Sequence, residues 1–382
     1  MRKKWLWAGI DLGVETASIC VIDNDGQVLH EKACTCSAAN LRRELCTFRR
    51  TRFASVVLEA GTGMHVARGL RSYGYPIELY EGRQLSKFLR ARRNKTDAGD
   101  AKGMAEAGRI GASIISKVYL KSLEFQALQS RLAIRQHLIR QRVATVNMLS
   151  RQIELFGGRL RCSAETDRFP SAVKAEIRKL FPDGARELVN PLRALAEHSQ
   201  NLISYQRAED RELKLVARHI DVCRRFMEIP GVGPLCALTF YAAIENPHRF
   251  SRSADVGSYF GLAPRLHESG LTSRKRRISK MGNKSGRTLL VRAAIMYMRY
   301  CDRDSALRDW TLRLEERAGR GKSRIALARK LAIIMLAMWK NGSCFVSQPR
   351  PAVPEPVPNQ NENVFAGRQN MDRQPAALEL HH

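Results

Sequence analysis

Trp5-Leu-Trp-Ala-Gly-Ile-Asp-Leu-Gly13 is an apolar run that stops on a carboxylate, Asp11. The next stretch, Ala17 to Asp23, reaches Asn24-Asp25-Gly26, a hairpin signal that folds it back against a third strand from Gln27. Ala54 to Leu58 repeats the pattern and stops on Glu59. An acid ending a buried strand is costly to desolvate unless a cation or hydrogen bonds compensate it, so both are expected to face a ligand. In Lys95-Thr-Asp-Ala-Gly-Asp-Ala-Lys102, Asp97 and Asp100 stand one turn apart on one helix face. Asp11, Glu59, Asp97 and Asp100 are therefore candidate ligands of a divalent metal. Hard oxygen donors suit Mg²⁺ or Mn²⁺ better than zinc, whose Cys and His ligands are missing from these segments.

Outward from the four acids, the first 110 or so residues read as β-β-β-α-β-α-β-α. A helix follows Ser37, the strand ending in Glu59 comes next, then a helix from about Thr62 to Tyr73 and a short strand from Pro76 to Tyr80. The helix bearing Asp97 and Asp100 closes the series. This order, with one acid on the first strand, one on the fourth and two on a later helix, resembles the RNase H-like fold of the RuvC type.

Composition narrows the partners. The 382 residues carry 65 Lys and Arg against 37 Asp and Glu, a formal charge of +28, and 44% hydrophobic residues are ample for cored domains. So large an excess of one sign predicts a polyanion, and nucleic acid is the natural one. Nine cysteines without a C-x-x-C pair predict reduced thiols in a cytoplasm, with Cys34 and Cys36 packed rather than metal-bound. The longest apolar run, Leu331 to Trp339, is half of a membrane span, so no membrane association is expected. The N-terminus lacks a signal-peptide pattern, which agrees with a cytoplasmic location.

From about Ser122 to Phe156 the pattern becomes one long helix, with Leu132, Ile139, Val146 and Ile153 recurring every seven residues. Their companions Arg135, Arg142, Leu149 and Phe156 make one half of the seam basic. Two readings stand: a polar layer that sets register, or a subunit-pairing helix that offers its arginines to a nucleic-acid backbone. A loop with Gly157, Gly158 and Pro170 precedes helices to about Phe226, expected to return antiparallel. Beyond Gly342, Gln348 to His382 has the Pro-, Asn- and Gln-rich composition of a disordered tail.

Met227-Glu-Ile-Pro-Gly-Val-Gly-Pro-Leu235 has the look of a helix-hairpin-helix turn. Gly231 and Gly233 allow a sharp turn whose N–H groups can hold a phosphate. Farther on, Gly261-Leu-Ala-Pro-Arg265 leads to Ser269-Gly270, then to Arg274-Lys275-Arg276-Arg277 and Ile278-Ser-Lys280-Met-Gly-Asn-Lys284. With Arg92, Arg93 and Lys95, these cations are the candidate phosphate contacts. A serine hydroxyl beside such a cluster could attack a polarised phosphate in line. By residue type alone Ser269, Ser273 and Ser279 are equal candidates.

Gly9-Ile-Asp-Leu-Gly13, Leu58-Glu-Ala60, Lys95-Thr-Asp-Ala-Gly-Asp100, Ile229-Pro-Gly-Val-Gly233, Gly261-Leu-Ala-Pro264, the Ser269-Gly270 pair and Ile278-Ser-Lys-Met-Gly-Asn283 occur in one order. The set resembles the DEDD transposases of bacterial insertion sequences, family one hundred and ten, the bridge-RNA-guided recombinases. The resemblance implies a RuvC-like domain over 1–115 and a coiled-coil spacer over 116–226. It further implies a mostly helical transposase domain over 227–342, with a tail over 343–382. Asp11, Glu59, Asp97 and Asp100 would be the metal-binding set, and Ser269 the nucleophile that forms a covalent phosphoserine with DNA. It also implies donor and target DNA, a non-coding guide RNA encoded by the element, and a homo-oligomer, dimeric and then tetrameric in synapsis. The chain departs from the family pattern at Glu268, where many relatives carry a small polar residue.

Three other readings compete. A junction-resolving nuclease would keep the acids and use water as nucleophile. An actin-like or sugar-kinase ATPase would share the first strand and turn, but needs a second Gly-rich phosphate loop that the sequence lacks. A non-catalytic scaffold would leave the acids unexplained in so basic a chain.

Overall fold

The computed structural model describes residues 5–48, 52–61, 63–90, 96–111, 115–161, 166, 168–182, 184–269, 272–301 and 305–347, with only the backbone of 266–269 and 272–276. The chain forms two compact units, Met1–Arg131 and Leu132–His382.

The N-terminal unit is built on a six-stranded sheet. β1 (Trp5–Leu12), β2 (Thr16–Ile22) and β3 (Val28–Thr35) form an antiparallel meander, turned at Asn24-Asp25-Gly26. β4 (Arg52–Glu59) lies parallel to β1, and β5 (Ile77–Tyr80) lies parallel to β4. A two-residue strand, β6 (Lys117–Val118), closes the order β3-β2-β1-β4-β5-β6. This mixed α/β arrangement is consistent with the expected RuvC-like DEDD domain.

Helices cover both faces. α1 (Ala38–Leu45), capped by Ser37, and α2 (Met64–Ser72) bury Leu41, Leu45, Val66 and Leu70 against Leu6, Ile10, Ile19 and Leu58 on one face. Cys34 and Cys36 pack against this core, as expected. On the other face α3 (Gly82–Leu89) and α4 (Asp97–Ile110) cover Val57 and Tyr80 with Leu85, Met104 and Ala107. α3 is absent from the sequence-based reading, as is β6.

The second unit is mostly helical. α5 (Leu123–Leu155) is the long expected helix. α6 (Phe169–Leu180) carries Pro170 in its first turn, so Pro170 helps open a helix rather than lying in a loop. α7 (Arg186–His219) is followed by α8 (Asp221–Met227). Leu149 and Ile153 of α5 are buried with Phe169, Val173 and Ile177 of α6 and with Val189, Leu192 and Ala196 of α7. The apolar half of the seven-residue seam is thus covered inside the chain. Its basic half is also engaged there: Arg135 pairs with Asp210 of α7, and Arg142 is buried.

Past α8, α9 (Pro234–Ile244) and α10 (Asp255–Tyr259) lead to an antiparallel ribbon of β7 (Pro264–Ser269) and β8 (Thr272–Ile278). α11 (Lys284–Tyr300), α12 (Ala306–Ala318) and α13 (Arg320–Asn341) complete the unit, and Gly342 closes α13 in the left-handed conformation. Aromatic contacts link Phe226 of α8, Phe240 of α9, Phe260 and Trp339 of α13. The ribbon is absent from the sequence-based reading. The expected tail at 348–382 lies outside the described residues.

Candidate active site

The elements that carry the four acids come together at one end of the sheet because of how α4 lies on it. A Cβ on Gly9 would stand 2.8 Å from Met104 Cβ and nearer still to the Ala101 carbonyl and the Ala105 nitrogen, so only glycine lets α4 approach β1 this closely. Farther along α4, a Cβ on Gly108 would lie 2.7 Å from Ser55 Oγ and Val57 Cγ2 and 3.5 Å from Trp7. Moving from Trp7 to Gly9 therefore means moving from Gly108 back to Ala101, and α4 runs opposite to β1. From Ala101 to Asp97 the helix rises about 6 Å, and from Gly9 to Asp11 the strand advances about 6.6 Å. The first turn of α4, with Asp97 and Asp100, therefore lies toward the Asp11 end of β1.

Glu59 joins them through register. Ile10 pairs with Leu58, so Asp11 and Glu59 are neighbours at the carboxyl ends of adjacent parallel strands. Alternation puts Asp11 on the face of Gly9, and Glu59 on the face of Val57, which is the α4 side for both. Crevices outside the carboxyl ends of parallel strands are where open α/β sheets hold ligands. Thr96 caps α4 by accepting from Gly99 N at 3.0 Å, and Asp97 and Asp100 occupy the first turn. There the helix dipole favours their negative charge.

One expectation about the acids needs correction. The strands do not stay buried to their ends: Glu59 and Asp97 are exposed, Asp11 and Asp100 half-buried. Desolvation therefore does not force a ligand on them, and their convergence carries the argument instead. Among the described residues, no three His, Cys, Asp or Glu side chains form a group able to hold a metal. The backbone gathers the acids, while their carboxylates as they stand do not close on one point. As donors they fit a hard cation: four carboxyl groups from three elements, in reach of water.

α3 adds a feature that the sequence reading missed. Its first residue, Gly82, lies directly under the Glu59 carboxylate, where a Cβ would be 3.2 Å from Glu59 Cδ and closer to Oε1. Glu81, next to it, caps α3 by accepting from Gln84 N at 2.9 Å. The Glu-x-x-Gln spacing at 81–84 was the available signal.

In the second unit the paired C-terminal motifs are explained by backbone packing. A Cβ on Gly261 (φ 66°) would lie 2.8 Å from Arg287 Nη1 and 2.9 Å from the Lys280 carbonyl carbon. Gly282 (φ 105°) presses in turn on Tyr259. Ser279 N donates to Ala263 O at 2.9 Å, and Arg287 donates to Phe260 O at 3.0 Å. Gly261-Leu-Ala-Pro264 and Ser279-Lys-Met-Gly-Asn283 thus form one clamp at the root of the β7–β8 ribbon.

The ribbon carries Ser269 as the last residue of β7, paired with Thr272. Arg274, Lys275, Arg276 and Arg277 lie along β8, and Ser273 pairs with Glu268. Arg265, Arg277, Lys280 and Lys284 are exposed, and Lys284 begins α11. Arg92, Arg93 and Lys95 lie outside the described residues. Gly231 lies against α11, where a Cβ would be 2.6 Å from Ala293 O and 2.8 Å from the Met296 carbonyl carbon. Gly233 is exposed and precedes α9 without a side-chain cap.

A profile of DEDD transposases described as "Transposase" matches residues 8–156, the segment holding all four acids. Another, described as "Transposase IS116/IS110/IS902 family", matches residues 223–308, which span the turn at Gly231 and the whole ribbon. Over 334 residues the chain is 30% identical to the transposase for insertion sequence element IS1111A of Coxiella burnetii, across 86% of this chain and 88% of that one. The chain belongs to the IS110 family of insertion-sequence transposases. The transposase is also 28% identical over 346 residues to the transposase for insertion sequence element IS1328 of Yersinia enterocolitica, covering 88% of this chain and 97% of that one. A probable family 20 transposase of Pseudomonas aeruginosa is 29% identical over 302 residues, with 78% and 87% covered. Transposases cut and rejoin DNA, so the excess of positive charge has its partner. No helix among the described residues is long and apolar enough to cross a membrane.

Proposed function

We propose that this transposase is an RNA-guided DNA recombinase in which Asp11, Glu59, Asp97 and Asp100 hold Mg²⁺ or Mn²⁺ and Ser269 is the nucleophile. The observation that carries the reading is the gathering of the four acids at the carboxyl ends of β1 and β4, within a chain that also presents a cationic, serine-bearing ribbon. A divalent cation there would supply charge stabilisation to phosphoryl oxygens. Ser269 Oγ forms a bond to phosphorus as the bond to the departing strand's oxygen breaks, and that strand leaves as a hydroxyl end. Attack by the hydroxyl end of a partner strand restores the phosphodiester and frees the serine, so no ATP is consumed. Arg265, Arg274, Lys275, Arg276, Arg277, Lys280 and Lys284 bind nucleic-acid phosphates. So do the turn at Gly231 and Gly233, and Arg92, Arg93 and Lys95. Donor and target DNA are selected by pairing with a non-coding RNA of the element, and several copies of the chain assemble on them.

The test is a denaturing gel of labelled element-end DNA incubated with protein, guide RNA and Mg²⁺. Wild type should give a slow, protease-sensitive band, and Ser269→Ala none, while Ser273→Ala retains it. A band that persists in Ser269→Ala and vanishes in Ser273→Ala moves the nucleophile. Free cleaved ends without any band would instead support the water-using, junction-resolving reading. For the metal, Mg²⁺ should raise the melting temperature of wild type and leave Asp11→Asn unmoved.

A further inference from the structure

Between the root of the β7–β8 ribbon and α13 lies an open cleft of about 1060 Å³. Arg265, Arg277 and Lys280 line it from the ribbon side, and Lys322 and Arg329 from α13. No carboxylate lines it among the described residues. Its floor is apolar, with Leu262, Ile278 and Ile325.

Five cations around one concavity repel one another, and each would be more stable apart unless an anion joined them. The built features argue that the arrangement is held rather than accidental. Arg265 donates to Ser279 O at 3.0 Å, which fixes its guanidinium across the two arms of the ribbon. The Arg329 stem passes over Gly257, where a Cβ would be 2.8 Å from its Cγ, and its Nε is buried with no hydrogen-bond partner among the described residues. The α13 end of the cleft is the start of a 22-residue helix whose N-cap, Gly319, offers no side-chain acceptor. Arg320 at that start pairs with Glu315 at 3.5 Å, whereas Lys322, in the first turn, lines the cleft. A basic residue opposes the helix dipole there, and an anion in the cleft would relieve it. The volume exceeds what one phosphate group fills and lies at the upper end of small-ligand pockets. An apolar floor under a cationic rim, with no aromatic side chain among the lining residues, suits sugar and phosphate rather than base stacking.

We propose that this cleft holds the phosphodiester backbone of a nucleic-acid strand, with Lys322 and Arg329 of α13 facing Arg265, Arg277 and Lys280 across it. The inference rests on the recombinase reading for its polyanion and adds α13 to the binding surface. From Arg265 to Ser269 the strand advances about 14 Å, so the cleft would grip the strand roughly four nucleotides from the serine.

The experiment is fluorescence anisotropy with the full chain and three labelled probes of one random 30-nucleotide sequence: single-stranded DNA, duplex DNA and single-stranded RNA. Dissociation constants are measured from 50 to 200 mM KCl. Lys322→Ala, an exposed position, should flatten the slope of log affinity against log salt by about 0.7 for a single strand or about 0.9 for a duplex. The probe that shows the change identifies the bound form. Arg265→Ala should do the same, and Lys214→Ala, an exposed lysine on α7, should not. Slopes unchanged in both cleft variants, or equally changed in Lys214→Ala, would overturn the proposal. The adduct gel separates the two readings. A wild-type adduct with unchanged slopes removes only the cleft, whereas flattened slopes without any adduct keep the cleft and remove the recombinase.

Discussion

Replacing Gly9 by alanine tests the geometry that gathers the acids. The added methyl would stand 2.8 Å from Met104 Cβ and closer to two backbone atoms of α4, none of which can swing aside. Carbon atoms settle at about 3.5–4.0 Å, so α4 must lift from β1 by roughly 1 Å. Overpacking of this kind costs about 1–3 kcal/mol, a melting-temperature loss on the order of 2–10 °C for the N-terminal unit. The same lift moves Asp97 and Asp100 away from Asp11 and Glu59, and a 1 Å misplacement at a reacting centre costs on the order of 100-fold in rate. Gly61→Ala is the matched control, because a Cβ there meets nothing within 4 Å among the described residues. The assay pairs a thermal melt with the initial rate of strand cleavage at saturating Mg²⁺. If Gly9→Ala melts and cleaves like Gly61→Ala, α4 does not lie on β1 as described and the convergence of the acids fails with it.

Gly82→Ala should cut cleavage by about 10-fold or more while melting within ~2 °C of wild type, because the atoms it displaces are the free end of Glu59 rather than backbone; an unchanged rate would show that the orientation of Glu59 is immaterial. Leu149→Ala should destabilise the second unit by about 2–5 kcal/mol in urea without altering the sedimentation coefficient, since Leu149 packs inside the chain; dissociation of an oligomer would show that the seam also joins subunits. Burial pushes the Cys223 and Cys236 thiols up to about 12 from an ordinary value of 9.0. Folding therefore favours their protonated form: that stability is complete below pH 9 and declines as pH rises toward 12. A double Cys→Ala variant should show a shallower alkaline fall in urea midpoint, and an identical fall would place the alkaline sensitivity elsewhere.

The sheet was legible because its strands are apolar runs ended by punctuation: β1, β2, β4 and β5 fall within about two residues of expectation. The acids were legible as chemistry but misread as buried, because hydropathy describes the body of a strand and not the exposed crevice at its end. α3 escaped because eight residues with three large apolar side chains give too little period to detect, although Glu81 and Gln84 marked its start. The seam on α5 has the right spacing, but spacing does not name the partner. In this chain α6 and α7 supply it, and Asp210 takes up Arg135.

The ribbon was the hardest element to foresee, for a reason tied to what it does. Apolar alternation reports a strand with one face on a core, and β8 runs Thr-Ser-Arg-Lys-Arg-Arg before its first aliphatic residue, Ile278. A two-stranded ribbon of this composition buries little of its own and is marginal alone. Its placement comes instead from the clamp at its root, where Gly261 and Gly282 admit backbone contacts that no side chain would permit. The two C-terminal motifs that looked like separate signatures are therefore the two halves of one mechanical part. That part fixes Arg265, Arg277 and Lys280 beside α13 while leaving the arms of the ribbon rich in cations, a division suited to a transposase that must grip DNA.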